Sequence, residues 1–216
     1  KNKNLLKINK KTLIEHSIYA SLKNKYIKKT FFSSDSQRYL KIAKKTGCEN
    51  LILRNLKFSK DSSSDIDVFK DFLNYLIKHN KILPEFIIHL RPTTPLRNNN
   101  ILNKAIKKFI KQKKNFTSLR SVSLMSNPSF KTFTIKNNKL CSLHDNDFNL
   151  DKFNLPKEYF KKTYLPNGYI DIIKTKNIYN SFLHGNKVKP FIVNEFNSDI
   201  DDKKDYLRVK KYAEKK

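Results

Sequence analysis

Asp199 and Asp201 stand two residues apart, and in an extended segment that spacing turns both carboxylates to one side while Ile200 faces a core on the other. Two oxygen ligands on one face suit Mg²⁺, which takes a few carboxylates and completes its shell with waters and phosphate oxygens. The competing reading is a helix cap: Asp202 precedes a helical pattern from Lys203, and its neighbours are then solvated carboxylates. A second stretch with chemical content is Leu90 to Arg97, reading LRPTTPLR. The apolar run Phe86-Ile87-Ile88 before it reads as a buried strand. A Pro-Thr-Thr-Pro turn then sets two hydroxyls and several backbone N–H groups at the carboxyl edge of a sheet, where open α/β folds bind ligands. An ordinary proline-bracketed turn between strand and helix has the same local sequence. Elsewhere the five histidines show no HExxH spacing, no GxSxG or Walker GxxxxGK segment occurs, and Cys48 and Cys141 are isolated, which argues against zinc sites and disulfides.

The elements that must position these residues follow an alternating pattern. Thr12 with Glu15 is a capping box, and Leu13, Ile14, Ile18 and Leu22 follow at helical spacing. Lys29 to Ser33 reads as a strand ending in Ser34-Asp35-Ser36, which caps a helix through Leu40, Ile42 and Ala43 that closes at Gly47. Leu51 to Leu53 is the next strand. A polar loop from Arg54 to Ser64 leads to a helix burying Ile66, Phe69, Phe72, Leu73 and Leu76. After LRPTTPLR comes a basic amphipathic helix through Ile101, Ala105, Ile106 and Ile110, then a strand within Thr117 to Leu124. Lys131 to Leu143 alternates around Asn137-Asn138, the turn of a hairpin, and His144 to Lys162 has little periodicity. Asn167 to Ile173 is a strand with a glycine near its start. A short helix near Ile178, a strand at Phe191 to Val193 and a helix from Lys203 complete the chain. Strands alternating with helices of about a dozen residues predict an α/β fold with a mostly parallel sheet.

The charge of +27, from 46 Lys and Arg against 19 Asp and Glu, suggests a polyanionic partner. The lysines are spread along the chain, however, and the abundance of Asn, Ile, Phe and Tyr with only three glycines fits a general A/T-rich codon bias. A nucleic-acid footprint should be a concentrated patch, so the spread of charge argues against a nucleic-acid partner, whereas a diffuse positive field still attracts a triphosphate. No apolar run approaches membrane-spanning length and no signal peptide opens the chain, which reads as soluble and cytoplasmic.

Several short motifs together resemble the acylneuraminate cytidylyltransferases, which make CMP-activated sialic and related nonulosonic acids. They are Lys3-Asn4 before a helix, Ser33-Ser34-Asp35 at a strand end, and a loop that opens on Arg54 and carries Asp61, Ser62, Ser63 and Ser64. Pro92 to Arg97 matches the family's PTSPLR, Pro128-Ser129-Phe130-Lys131 its proline-aromatic-lysine element, Asn167-Gly168 its Asn-Gly strand, and Asp199-Ile200-Asp201 its DID element. The likeness runs in order across nearly the whole chain. It implies a Rossmann-like nucleotidyltransferase fold, a three-layer sandwich in a single domain spanning 1–216, with an arm at 125–166 that makes a homodimer. It also implies CMP transfer from CTP to a nonulosonic acid such as legionaminic, pseudaminic or N-acetylneuraminic acid, with Mg²⁺ or Mn²⁺ and release of pyrophosphate.

By position the resemblance assigns Lys3, Asn4, Arg54, Ser63, Arg91 and Thr93 to the nucleotide. It assigns Thr93, Thr94, Lys131, Asn167 and Gly168 to the sugar, with Lys131 opposite the sugar carboxylate, and Asp199 and Asp201 to the metal and catalysis. The family opens on a hydrophobic strand and a glycine-rich loop resembling IPARGGSK, and this chain starts after that loop, which reads as an N-terminal truncation relative to the family. Arg91 stands where many relatives have glutamine, Asn55 where the residue after the arginine is usually proline, and Lys152-Phe153 where an arginine-glutamine pair often precedes Leu-Pro. The readings left open beside a nonulosonic acid cytidylyltransferase are a non-catalytic nucleotide-sugar-binding paralogue and a nucleotidyltransferase for another sugar.

Overall fold

The computed structural model describes residues 2–60, 63–196 and 198–215. Asp61 and Ser62 of the nucleotide loop lie outside the described residues. In chain order the elements are β1 (Lys7–Ile8), β2 (Lys11–Thr12), α1 (Leu13–Leu22), β3 (Phe31–Ser34), α2 (Gln37–Lys45), β4 (Asn50–Leu53), α3 (Asp65–Lys78) and β5 (Phe86–His89). There follow α4 (Asn99–Gln112), β6 (Ser118–Leu124), β7 (Phe133–Lys136), β8 (Lys139–Ser142), β9 (Tyr164–Lys174), α5 (Thr175–Tyr179), β10 (Val188–Ile192) and α6 (Lys203–Ala213).

The local signals act as their chemistry dictates. Thr12 and Glu15 form the capping box that starts α1, Ser36 accepts from Tyr39 N–H to start α2, and Gly47, at φ +97°, ends the turn that follows α2. Asn137 and Asn138 both adopt left-handed backbone, as a two-residue turn between β7 and β8 requires.

β10, β6, β9 and β5 form one sheet in that order, and β3 pairs with β4 in a second, two-stranded parallel sheet. In the larger sheet β5, β6 and β10 share a direction, while β9 runs antiparallel to both neighbours. The sheet is therefore mixed. β9 breaks the alternation because the excursion at 125–166 separates it from β6, so no helical crossover returns it to the parallel direction. β5 is also only half-buried along its length, not the fully buried strand its sequence predicts. It is the edge of its sheet, and no hydrogen-bonded strand joins it to β3 among the described residues.

Adjacent residues of β9 point to opposite faces and recruit different helices. Ile170 and Ile172 pack with Leu102, Ala105, Ile106 and Phe109 of α4, whereas Ile173 packs with Phe69, Leu73 and Leu76 of α3 and Ile178 of α5. Helices on both faces give the three-layer sandwich. Each fully buried Leu, Ile or Phe contributes about 1.5–3 kcal/mol. A third cluster joins α1 to α2 through Ile14, Ile18, Ala43 and Cys48, and a fourth seats Ile200 against Ile8, Leu13, Val209 and Ala213. That fourth cluster fixes the Asp199–Asp202 segment. Among the described residues no helix is long and apolar enough to cross a membrane.

Candidate active site

The turn after β5 is built around a partly buried arginine. Arg97 donates from Nε to Tyr169 O at 2.7 Å, from Nη1 to Ser17 Oγ at 3.0 Å, and from Nη2 to Arg91 O at 2.9 Å and Gly168 O at 3.0 Å. One guanidinium thus holds α1, both ends of the LRPTTPLR turn and the middle of β9. Burial lowers its pKa to about 10, with Tyr169 and Asp199 opposing the shift, so it stays charged at neutral pH. A buried charge of this kind is stable only because its donors are satisfied.

One further contact brings the carboxylate segment onto the same turn, Ile200 N–H donating to Thr93 O at 2.9 Å, and within the turn Thr94 N–H donates to Arg91 O at 3.2 Å. Gly168 completes the floor. Its φ is +65°, and a Cβ there would lie 2.7 Å from Thr94 Oγ1 and 3.5 Å from Asp199 Oδ2. Only glycine permits β9 to approach both side chains at that backbone angle. Asn167 steadies the approach, donating to Ser123 Oγ at 2.9 Å and accepting from Tyr169 N–H at 3.2 Å.

Among the described residues, Thr94 Oγ1 and Asp199 Oδ1 are both buried with no hydrogen-bond partner, and so is Asn4 Oδ1. Buried polar atoms left unpaired are expected where a ligand completes them. A hydroxyl and a carboxylate oxygen are the hard oxygen donors that Mg²⁺ takes, so the residues fit such an ion. No group of three or more His, Cys, Asp or Glu gathers among the described residues, so an ion here would need phosphate and water to complete its shell.

The two aspartates have different settings. Ile200 is fully buried, as the alternation requires, and Asp199 turns toward Gly168. The Asp201 side chain is 75% exposed and pairs with Lys3 Nζ at 3.0 Å. Asp202 caps α6, accepting from Asp205 N–H at 2.8 Å. The helix-cap reading thus holds for Asp202.

Arg54 lies at the carboxyl ends of β3 and β4. Its N–H donates to Ser34 O, its Nε donates to Ser59 Oγ at 3.1 Å, and its guanidinium stands 3.7 Å from Asp35 Oδ1. Ser63 closes the loop after it by accepting from Lys60 N–H. Lys131 is held within the 125–166 segment, donating to Leu155 O at 2.7 Å with its ammonium over the Phe160 ring. The structure thus brings Thr93, Thr94, Gly168 and Asp199 together, with Lys3 on Asp201 beside them. It keeps Arg54 and Ser63 in their own loop and Lys131 in the arm.

The Cytidylyltransferase family profile matches residues 1–208. The chain belongs to that family. This cytidylyltransferase is 28% identical over 211 residues to the post-translational flagellin modification protein B of Campylobacter coli, covering 97% of this chain and 87% of that protein. It is 29% identical over 211 residues to the CMP-N,N'-diacetyllegionaminic acid synthase of Campylobacter jejuni, with the same coverage of each. With the N-acylneuraminate cytidylyltransferase of Escherichia coli it shares 26% identity over 95% of this chain and 47% of that longer protein. Among solved structures it resembles a CMP:2-keto-3-deoxy-manno-octonic acid synthetase complexed with CTP, at a TM-score of 0.68 and 13% identity, covering 99% of this chain and 92% of that one. That likeness shows the fold.

Four charged side chains of this cytidylyltransferase escaped the sequence reading as a group. Arg91 donates from Nη1 to Asp171 Oδ2 at 2.7 Å and from Nη2 to Asp65 Oδ2 at 2.5 Å, and Arg120 Nε stands 3.8 Å from Asp171 Oδ1. His89, Asp171 and Arg120 are cross-strand partners on β5, β9 and β6. The signal was present only in part: Asp171 is the lone acidic residue in a strand of isoleucines.

Proposed function

We propose that this cytidylyltransferase transfers CMP from CTP to a sialic-acid-like nonulosonic acid and releases pyrophosphate. The observation that carries this reading is the floor formed by Thr94, Gly168 and Asp199, where a buried hydroxyl and a carboxylate oxygen stand unpaired in a chain whose family profile spans nearly its whole length. The acceptor class follows from the acids named for the relatives.

In the reaction the C2 hydroxyl oxygen of the acid attacks the α-phosphorus of CTP in line. The new C2–O–P bond forms as the bond from the α-phosphorus to the bridging oxygen breaks, the hydroxyl proton is released to solvent, and pyrophosphate leaves. Bound Mg²⁺ supplies charge neutralisation at the phosphates, and Asp199 and Asp201 are the residues that would hold it. Lys3, paired with Asp201, is placed to turn its ammonium to the triphosphate, and Asn4 offers a buried amide oxygen beside it. Arg54 and Ser63 line the nucleoside side, while Thr93, Thr94, Asn167 and Gly168 line the acceptor side. Arg97 contributes by holding the turn rigid, since positioning supplies much of the rate in phosphoryl transfer.

The 125–166 arm is proposed to make the homodimer. It has its own small core, with Phe153 buried against Phe133 and Phe160, yet it leaves Ile135 at 71% and Tyr159 at 76% exposure, with Leu143, Phe148 and Leu165 also open. Such an apolar surface on a small appendage suits a self-complementary interface. Lys131 rides on the arm and would approach the acceptor of the second protomer. The proposed setting is the cytoplasm, where CTP is available.

Pyrophosphate release from CTP and Mg²⁺, assayed with N-acetylneuraminic, N,N'-diacetyllegionaminic and pseudaminic acids, tests the activity. Release with at least one acid is expected, and none with any of them refutes the reading.

A further inference from the structure

Arg91 carries two carboxylates that differ sharply in how firmly they are held. Asp171, on the central strand β9, is only 2% exposed, and its second oxygen faces Arg120. Asp65, the first residue of α3, is 47% exposed and receives only the outer nitrogen of Arg91. Breaking the inner pair leaves a buried charge without a partner, which is strongly unfavourable, whereas a half-exposed pair is screened by solvent and held only weakly. The guanidinium is thus locked on one side and exchangeable on the other.

Its position is also preset. The Arg91 carbonyl accepts from Ser17 Oγ, Arg97 Nη2 and Thr94 N–H, so the backbone beneath the guanidinium cannot shift without disturbing the Thr94 floor. Asp65 has no comparable tie. The capping box of α3 is made by Ser64 and Asp67, so the Asp65 side chain can rotate away and leave the helix start intact. The two arginines, Arg91 and Arg120, face Asp171 and Asp65, so an anion that takes the place of Asp65 leaves the number of opposed charges unchanged.

We propose that Asp65 is an internal stand-in for a substrate carboxylate, and that the carboxylate of the acceptor sugar acid displaces it from Arg91 Nη2 beside Arg120. Arg91 is then a specificity-determining residue of the acceptor side, two residues before Thr93, in contrast to the nucleotide role that its place in the motif implies. It takes the sugar carboxylate in place of Lys131, which in this chain is engaged with Leu155 O and the Phe160 ring. Exchange of one carboxylate for another keeps the local charge constant, so the exchange selects an acid over a neutral sugar without burying a new charge. This inference rests on the acceptor being a sugar acid, as proposed above.

The test is calorimetric binding, without CTP, of N,N'-diacetyllegionaminic acid and of its C1 carboxamide to the full chain and to Asp65→Asn and Arg91→Gln. Asp65→Asn removes the competitor and should tighten the acid by about three-fold, the scale of a half-exposed pair, while the carboxamide changes by less than about two-fold. Arg91→Gln should weaken the acid by about ten-fold or more, the scale of a charge-assisted hydrogen bond. Unchanged or weaker acid binding in Asp65→Asn overturns the inference, and if Arg91→Gln does not fold, that variant decides alone. Absence of any binding to the wild-type chain also overturns it. Binding without pyrophosphate release refutes the catalytic reading and leaves the Asp65 comparison as the test of the carboxylate site.

Discussion

Gly168→Ala is the most direct probe of the floor. The added methyl meets Thr94 Oγ1 at 2.7 Å, closer than any tolerated carbon–oxygen contact, and Asp199 Oδ2 at an ordinary 3.5 Å. Two costs add. A non-glycine residue at φ +65° costs about 1–2 kcal/mol. Forcing a methyl into an occupied site costs about 1–3 kcal/mol more. The expected loss is about 2–5 kcal/mol, read as a lower urea midpoint with an unchanged slope. Thr94→Ala removes the atom that is struck, and because Thr94 Oγ1 has no hydrogen-bond partner, its own cost is limited to a small cavity of about 1 kcal/mol. In the double variant the overlap is gone while the backbone strain remains, so the double loss should fall short of the sum by about 1–3 kcal/mol. Pyrophosphate release should fall in both single variants. Strict additivity of the two stability losses would show that the methyl does not meet Thr94 and would refute the packing argument.

Asp201→Asn, at an exposed side chain, should leave the urea midpoint near wild type and lower pyrophosphate release by about a hundred-fold or more, the scale of several kcal/mol of lost charge stabilisation; preserved turnover would remove Asp201 from the metal site. Ile135→Asp in the arm should convert a dimer to a monomer in light scattering, and a wild-type monomer would refute the interface. His89 is held down to about 4 by burial first and by Arg91 second, with Asp65 and Asp171 opposing. The unfolded chain takes up this proton below about 6.5 and the folded chain only near 4, so stability should decline as pH falls across that window, by on the order of 2–3 kcal/mol. His89→Phe should flatten that part of the profile measured by urea unfolding.

Most of the fold was legible because its signals are local. The Thr12–Glu15 box, the apolar spacing of α3 and α4, and the Asn137-Asn138 turn each specify their element with residues a few positions apart. The direction of β9 was not legible, because strand polarity depends on how far the chain travels between strands, and the 125–166 excursion replaces a helix there. Burial of β5 was misjudged for a related reason. An apolar triplet marks a strand but not whether both of its edges are paired.

The site divides along the same line. The hydroxyls of the turn, the glycine of β9 and the aspartate pair were visible because each sits in a short motif. Arg97 was visible only as the last letter of one, and nothing in the sequence announces that a charged side chain fills the interior. Its necessity becomes clear only from the geometry. The carbonyls of Arg91, Gly168 and Tyr169 converge where three chain segments meet, with no strand or helix ladder to receive all of them. A rigid fork of donors satisfies them together, and a lysine, with a single nitrogen on a flexible stem, could not. The floor and the proposed acceptor side are therefore coupled through one cation: the guanidinium that holds Gly168 against Thr94 also anchors the carbonyl of Arg91, and with it the proposed carboxylate site.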